Sequence, residues 1–297
     1  MQPRQTPLPE TIGRFRVEAR LGTGGTGEVY KAFDPTLQRM VAVKTVRPDI
    51  DKPEFLALLY REAQASAELQ HPNIVTVYEA GELSGVVYIV MEYLKGEDLA
   101  AALRGGALSF EDRINVLIQI LQALHHAHEE DVIHRDIKPS NIQRQPDGTV
   151  KLMDFGLARV MRSPKLTVTG AVMATLHYAS PEQLKGQPLD RRTDVYSTGV
   201  VAYEMCVGRC PFVTGDDSVA TVVLKVISDP PPPMNVLWSR LFPEFERIVT
   251  RAMAKLPDER YQTADEMRNA LTVFLASSRD AIAAADAEAA AARESDM

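Results

Sequence analysis

The chain has 297 residues, 45% of them hydrophobic, enough to bury a sizeable core in one large domain or two lobes. Its formal net charge of −7 argues against nucleic acid as the main partner, and no apolar run approaches the roughly 18 residues of a membrane helix. The opening MQPRQTPLPETIG lacks an apolar signal core, so the expectation is a cytoplasmic protein, or the cytoplasmic portion of a longer membrane-anchored one.

Residues 1–12, rich in Pro and Gln, read as a flexible leader. Phe15, Val17 and Ala19 then alternate with charged residues, as a strand requires. The next stretch, LGTGGTGEVYKAFD from Leu21 to Asp34, carries Gly22, Gly24 and Gly27 at G-x-G-x-x-G spacing, which two unrelated phosphate-binding devices share. A dinucleotide-binding loop must open a helix, so that the pyrophosphate meets the helix N-terminus. Here Val29, Lys31 and Phe33 alternate with Tyr30 and Ala32, which is strand spacing. Strand, glycine turn and strand make a hairpin whose tip can lie over a triphosphate. An ordinary glycine-rich turn is the other reading of this stretch alone.

MVAVKTV follows, a strand with Val41 and Val43 opposite Ala42 and Lys44. PEFLALLYREAQASAELQ sets Phe55, Leu58, Leu59, Glu62 and Ala63 at helical spacing and stops at the breaker HPN, before the strands IVTVYEA and VVYIVMEY. From Leu99 onward helices dominate. FEDRINVLIQILQALHHAHEE is amphipathic, and DVYSTGVVAYEMCV is nearly uniformly apolar, as expected of a buried central helix. After the surface connection SDPPPPMN come helices in LFPEFERIVTRAMAK and around ADEMRNALTVFLA. The expected fold class is α+β: a small antiparallel-sheet lobe over about 13–93 with one main helix, and a larger helical lobe over about 97–277. They join near Tyr93–Gly96, with a cleft between them that suits a ligand. Residues 278–297, rich in Ala and Glu, read as a helical or disordered tail with little to bury. Cys206 and Cys210 read as reduced thiols, because no further Cys or His stands near them to complete a metal site. HHAH at 125–128 lacks a third zinc ligand and reads as structural.

The chemistry-bearing residues come in an informative order. Lys44 on its strand gains meaning if Glu62, mid-helix, holds its ammonium toward phosphate oxygens. VIHRDIKPSNI then crowds Asp136, Lys138 and Asn141 between apolar flanks, an arrangement that packing alone does not favour. Asp136 can accept the proton of an attacking hydroxyl, Lys138 can offset charge on a moving phosphoryl group, and Asn141 can ligate a metal. VKLMDFGLA presents Asp154 after an apolar strand, a second oxygen ligand for a hard cation such as Mg²⁺.

Glycine loop, VAVK, HRD with its Asn, and DFG, in this order, resemble the signature set of protein kinases. SPE at Ser180–Glu182, DVYSTG from Asp194, and Arg260 in LPDERYQTADEM extend the resemblance from about Phe15 to Phe274. KPSN, HPNIV, YIVMEYLKGEDL and YASPEQ are most similar to bacterial eukaryotic-like Ser/Thr kinases.

That resemblance implies a two-lobed kinase-like fold and transfer of the γ-phosphoryl group of Mg·ATP, with Mn²⁺ as an alternative, to Ser or Thr hydroxyls of proteins. It implies that Leu21, Gly22, Thr23, Gly24, Gly25, Thr26 and Gly27 cover the nucleotide, with Val29 and Ala42 above adenine and Met91 guarding the back pocket. The hinge is Glu92 to Leu94, Asp98 lies near the ribose and Gln143 forms the pocket floor. Lys44, Glu62, Asp136 and Lys138 are the implied catalytic set, with Asn141 and Asp154 as metal ligands. Arg135 implies control by phosphate on the activation segment, with Thr167 and Thr169 as acceptors and Thr175 lining the substrate groove. Self-association during autophosphorylation fits that control.

Three residues depart from the family pattern: Gln143 where Leu or Met is usual, Ala174 for Gly, and Ser66 where a larger apolar residue locks the helix to Phe155. Two other classes compete, a nucleotide-binding pseudokinase scaffold and a small-molecule phosphotransferase. The complete catalytic set disfavours the first, and the SPE segment with its arginine disfavours the second.

Overall fold

The computed structural model describes residues 8–24, 27–46, 60, 63–83, 85–106, 108–155, 176–213, 215, 217–234, 236 and 240–295. Strands β1 (Thr11–Ile12), β2 (Phe15–Gly24), β3 (Gly27–Asp34), β4 (Arg39–Val46), β5 (Val77–Leu83) and β6 (Val86–Glu92) form one antiparallel sheet, ordered β1-β2-β3-β4-β6-β5. Alternation divides its side chains between two apolar clusters. Phe15, Tyr30, Ala32, Val41, Val43 and Val90 are buried on one face. Ala42, Val46, Val87, Ile89 and Met91 face the other way, packing on Val75 and on Ala63 of α1, helical at 63–68. Register pairs Val29 with both Gly22 and Lys44, which places Lys44 beside the glycine hairpin.

Gly27 is required at that hairpin. Its φ is +150°, and a Cβ there would lie 1.7 Å from the carbonyl oxygen of Thr45 on the next strand.

The second lobe is built on helices α2 (Leu99–Arg104), α3 (Phe110–Glu129), α4 (Pro181–Leu184), α5 (Arg192–Val207), α6 (Val219–Ser228), α7 (Pro243–Ala252) and α8 (Ala264–Ser295). A reciprocal capping box, Ser109 with Asp112, starts α3 and satisfies two backbone donors. Nearly every residue of α5 is buried, as its uniform apolarity requires. Phe110 stacks on Phe242 and meets Phe245 and Phe274 edge-on, fastening α3 to α7 and α8. At Gly199, in mid-α5, a Cβ would come within 2.9 Å of Ala252 Cβ and Met253 Cγ, so α5 and the end of α7 touch through the missing side chain. Cys206 and Cys210 are free and buried, and burial pushes both thiols up to about 12.

The expectation that 278–297 has little to bury is corrected. Helix α8 continues to Ser295, burying Ile282 completely and Ala285 nearly so. The Asp286 carboxylate accepts from the backbone N–H of Phe110 at 2.7 Å and of Glu111 at 3.2 Å. Ala-rich composition lets the helix lie close to α3, with Ile282 and Ala285 in the core and Asp286 bonded to the start of α3. Among the described residues, no helix is long and apolar enough to cross a membrane.

Candidate active site

A second small sheet, β7 (Glu97–Asp98), β8 (Ile142–Arg144) and β9 (Val150–Leu152), carries the chemistry-bearing segments. A short 3₁₀ turn, Pro139–Asn141, leads into β8, and Asp154 follows β9 by two residues. Leu152 is bound to the HPN segment through Leu152 N–H to Asn73 C=O and Val75 N–H to Leu152 C=O, both 2.9 Å. Met153 N–H donates to Asn141 C=O at 2.9 Å, so the two segments are stitched together where Asp136 and Asp154 must meet.

Asp136 is surrounded by donors. Lys138 Nζ lies 2.8 Å from its Oδ2, and Asn141 Nδ2 donates to both Oδ2 and the Asp136 carbonyl at 2.9 Å. Asp194, wholly buried, accepts from the backbone N–H of His134 and Arg135 at 2.9 and 2.8 Å and pairs with His128 Nε2 at 2.8 Å. Burial works to raise that carboxyl, but His128 and the other donors outweigh it and hold it below the ordinary range. These bonds fix Arg135 at φ +69°, a left-handed conformation an Arg does not choose alone. His134 Nε2 meets Met153 C=O at 2.8 Å, with its ring 4.5 Å from that of Phe155.

Lys44 reaches across from β4 to Asp154, Nζ to Oδ1 2.7 Å. Burial works to raise the Asp154 carboxyl, and the Lys44 ammonium overcomes it and keeps it below the ordinary range. The Lys44–Glu62 pair expected from the sequence cannot be described, because Glu62 lies outside the described residues. The same holds for Gly25, Thr26, Thr167, Thr169, Ala174 and Thr175.

At the nucleotide end, Ala42 and Met91 are buried, and Val29 and Leu94 pack against the same cluster. Leu21, Gly22 and Thr23 are exposed at the hairpin, where β2 and β3 close on the pair Gly24–Gly27. The Glu92 carboxylate accepts from Thr76 N–H at 2.8 Å and from Lys151 Nζ at 2.6 Å. Asp98 caps α2, its Oδ1 accepting from Ala101 N–H at 2.7 Å. Gln143 sits half-buried across from Asp98. Ser66 Oγ donates to the Phe155 carbonyl at 3.2 Å beside a small pocket of about 20 Å³, room for one water, lined by Ala63, Val75, Ile89 and Met91 among others.

Lys44 of β4, the loop holding Asp136 and Asn141, and Asp154 after β9 are thus brought together through the Lys44–Asp154 ion pair and the Met153–Asn141 bond. His128 was missed as a partner of Asp194. Its signal was present: Leu117, Leu121, Leu124 and His128 form one buried stripe on α3, and a His in such a stripe needs a polar partner.

A family model described as the protein kinase domain matches residues 15–271. The chain belongs to the protein kinase domain family. A probable serine/threonine-protein kinase of Streptomyces coelicolor is 46% identical over 264 residues, covering 86% of this chain and 39% of that protein. PknB of Mycolicibacterium smegmatis, a serine/threonine-protein kinase, is 43% identical, covering 86% of this kinase chain and 42% of its own. PrkC of Bacillus subtilis is 38% identical, at 86% and 39%. The chain therefore spans between 39% and 42% of the length of these relatives. Among solved structures, the PknI kinase domain of Mycobacterium tuberculosis, in a mutant form, aligns with TM-score 0.71 at 25% identity, covering 91% of this chain and 99% of that one.

The kinase anchor beyond the cleft is a buried ion pair. Arg260, 1% exposed, donates from Nη1 and Nη2 to the two Glu182 oxygens, each at 2.8 Å, with Thr193 Oγ1 donating to the same carboxylate at 2.9 Å. Burial works to raise Glu182, and Arg260 more than compensates, holding it below the ordinary range. Gln183 Nε2 then donates to the Arg135 carbonyl at 2.9 Å, connecting this anchor to the loop bearing Asp136.

The donor set fits Mg²⁺. Asn141 directs both contacts of its Nδ2 at Asp136, which leaves the amide oxygen as acceptor, and the Asp154 side chain remains 24% exposed. Oxygen ligands of this kind suit a hard cation that keeps part of its water.

Proposed function

We propose that the chain is an ATP-dependent serine/threonine protein kinase, moving the γ-phosphoryl group of ATP to Ser or Thr hydroxyls of protein substrates. The observation that carries this reading is the triangle of Asp136, Lys138 and Asn141, with all the donors within 2.9 Å, facing an Asp154 ion-paired to Lys44. Asp136 takes the proton of the attacking hydroxyl as the bond to phosphorus forms. Lys138 stays beside Asp136 and offsets charge on the phosphoryl group in flight, while Lys44 orients the non-transferred phosphates. Asn141 and Asp154 would hold Mg²⁺, which supplies charge neutralisation on the phosphate oxygens.

The glycine hairpin, Val29, Ala42, Met91, the Glu92–Leu94 hinge, Asp98 and Gln143 make the nucleotide site in this reading. Thr167 and Thr169 are the proposed autophosphorylation acceptors, with Arg135 receiving the phosphate and Thr175 lining the substrate groove. We place the kinase domain over 13–277, with the remainder of α8 packed on α3 as an extension of it, and its action in the cytoplasm, where ATP is available.

The test is mass spectrometry of the purified chain after incubation with Mg·ATP, beside Asp136→Asn. Wild type is expected to carry phosphate on Thr167 or Thr169. The variant keeps its shape and loses the proton acceptor, so its rate should fall by about 10²–10⁴. More than about a tenth of wild-type turnover in the variant removes Asp136 from this role. Nucleotide binding without any phosphate transfer points to a scaffold instead.

A further inference from the structure

Helix α1 meets the segment bearing Asp154 through a polar contact. Ser66, only 8% exposed, donates from Oγ to the carbonyl of Phe155 at 3.2 Å. Phe155 is itself buried, its ring against His134, and Asp154 just before it is held at φ +64°. Aspartate enters the left-handed region more readily than most residues, yet still at a cost that its surroundings must meet. Apolar packing around Ser66 is incomplete, because the small pocket between Ala63, Val75, Ile89, Met91 and Phe155 opens beside it. Where close dispersion contacts are missing, a directional bond carries more of the contact.

We propose that Ser66 is a positioning residue: its hydroxyl pins the Phe155 carbonyl and thereby keeps the Asp154 carboxylate turned toward Lys44. The role assigned to Asp154 rests on the kinase reading above, but the pinning itself does not. A large apolar residue at this place would couple helix and segment by shape. A serine couples them by a bond that breaks cleanly, so the helix and the metal-binding aspartate can separate without repacking a core.

The experiment compares wild type, Ser66→Ala and Ser66→Thr. Ala removes only the hydroxyl and is the better helix former, so the fold is not endangered. In nucleotide-free protein, hydrogen–deuterium exchange of peptides covering Asp154 and Phe155 should rise about three- to ten-fold in Ser66→Ala, the factor expected for one buried hydrogen bond. Exchange in α3 should stay unchanged, and the melting temperature should fall by no more than the roughly 2–4 °C that one such bond is worth in a domain of this size. The Mg²⁺ concentration needed for half-maximal turnover should rise by a similar factor, with KM for a peptide acceptor unaltered. Ser66→Thr, which keeps the hydroxyl, should return both quantities to within about two-fold of wild type. Unchanged exchange in Ser66→Ala, or a Thr variant that behaves like Ala, overturns the proposal. If wild type transfers no phosphate while the exchange difference is present, the kinase reading fails and the pin stands. If wild type is active and Ser66→Ala exchanges like it, the pin alone fails.

Discussion

In the nucleotide site proposed above, Gln143 is the floor under adenine where an apolar residue is usual, and it is half-buried on β8 opposite Asp98. An amide pressed under a ring face that offers it no partner costs roughly 1–3 kcal/mol by mutational measures. Partial burial puts Gln143 at the low end of that range. Gln143→Leu is therefore expected to tighten ATP binding about five-fold in a calorimetric titration, since 1.4 kcal/mol is about a factor of ten. Turnover should hardly move, because adenine is contacted alike in ground and transition states. Equal affinities would mean that the amide already reaches a partner in the bound state. At this scale the sequence was legible where a residue's chemistry is unusual for its surroundings, as with Asp136 between Ile133 and Ile137. It was not legible for Asp98, whose carboxylate caps α2, because capping depends on where a helix begins to within one residue.

Among the elements, the contact between α8 and α3 gives the clearest expectation. Asp286 supplies two acceptor bonds to the first N–H groups of α3, in addition to the Ser109 box at the same end. Losing a helix cap costs about 0.5–2 kcal/mol. Asp286→Ala should lower stability by about 1 kcal/mol in urea denaturation with the m-value unchanged, and a chain stopped at 277 should lose more because Ile282 goes with it. An unchanged midpoint for Asp286→Ala would show the contact to be incidental.

The HPN segment offers a pH dependence at the same scale. The His71 ring stacks on His126 at 5.2 Å and accepts from Asn73 N–H through Nδ1. Burial, then His126, then Lys151 push its value below the ordinary 6.5. The folded protein consequently binds this proton later than the unfolded chain. Stability from the neutral ring is complete above about 6.5 and is lost as pH falls through the lower folded value. His71→Asn, whose side chain can still accept from Asn73, should flatten the dependence of melting temperature on pH between about 5 and 7. An identical slope would assign the dependence to other groups. Periodicity alone could not reveal this stack, since the two rings belong to segments far apart in sequence.

On the scale of the whole molecule, the two lobes and their order were readable because alternation gives way to helical spacing near Leu99, while the extent of α8 was not. An Ala-rich tail shows too little apolar contrast to announce its packing when one Ile and small alanines make the contact. Gly199 carries a different kind of consequence. Replacing a mid-helix glycine with alanine is a standard route to a more rigid protein, worth about 1 kcal/mol in propensity. Here the added methyl would meet the Cβ of Ala252, which has no torsion with which to retreat. Overpacking of this sort costs about 1–3 kcal/mol, so the sign should reverse and Gly199→Ala should melt below wild type by differential scanning calorimetry. A higher melting temperature would show that α5 and α7 can part freely. The displacement would not stop at that contact: the turn after α7 delivers Arg260 to Glu182, so a protein engineer chasing thermostability at position 199 would be prying at the anchor of the activation segment from the far side of the lobe.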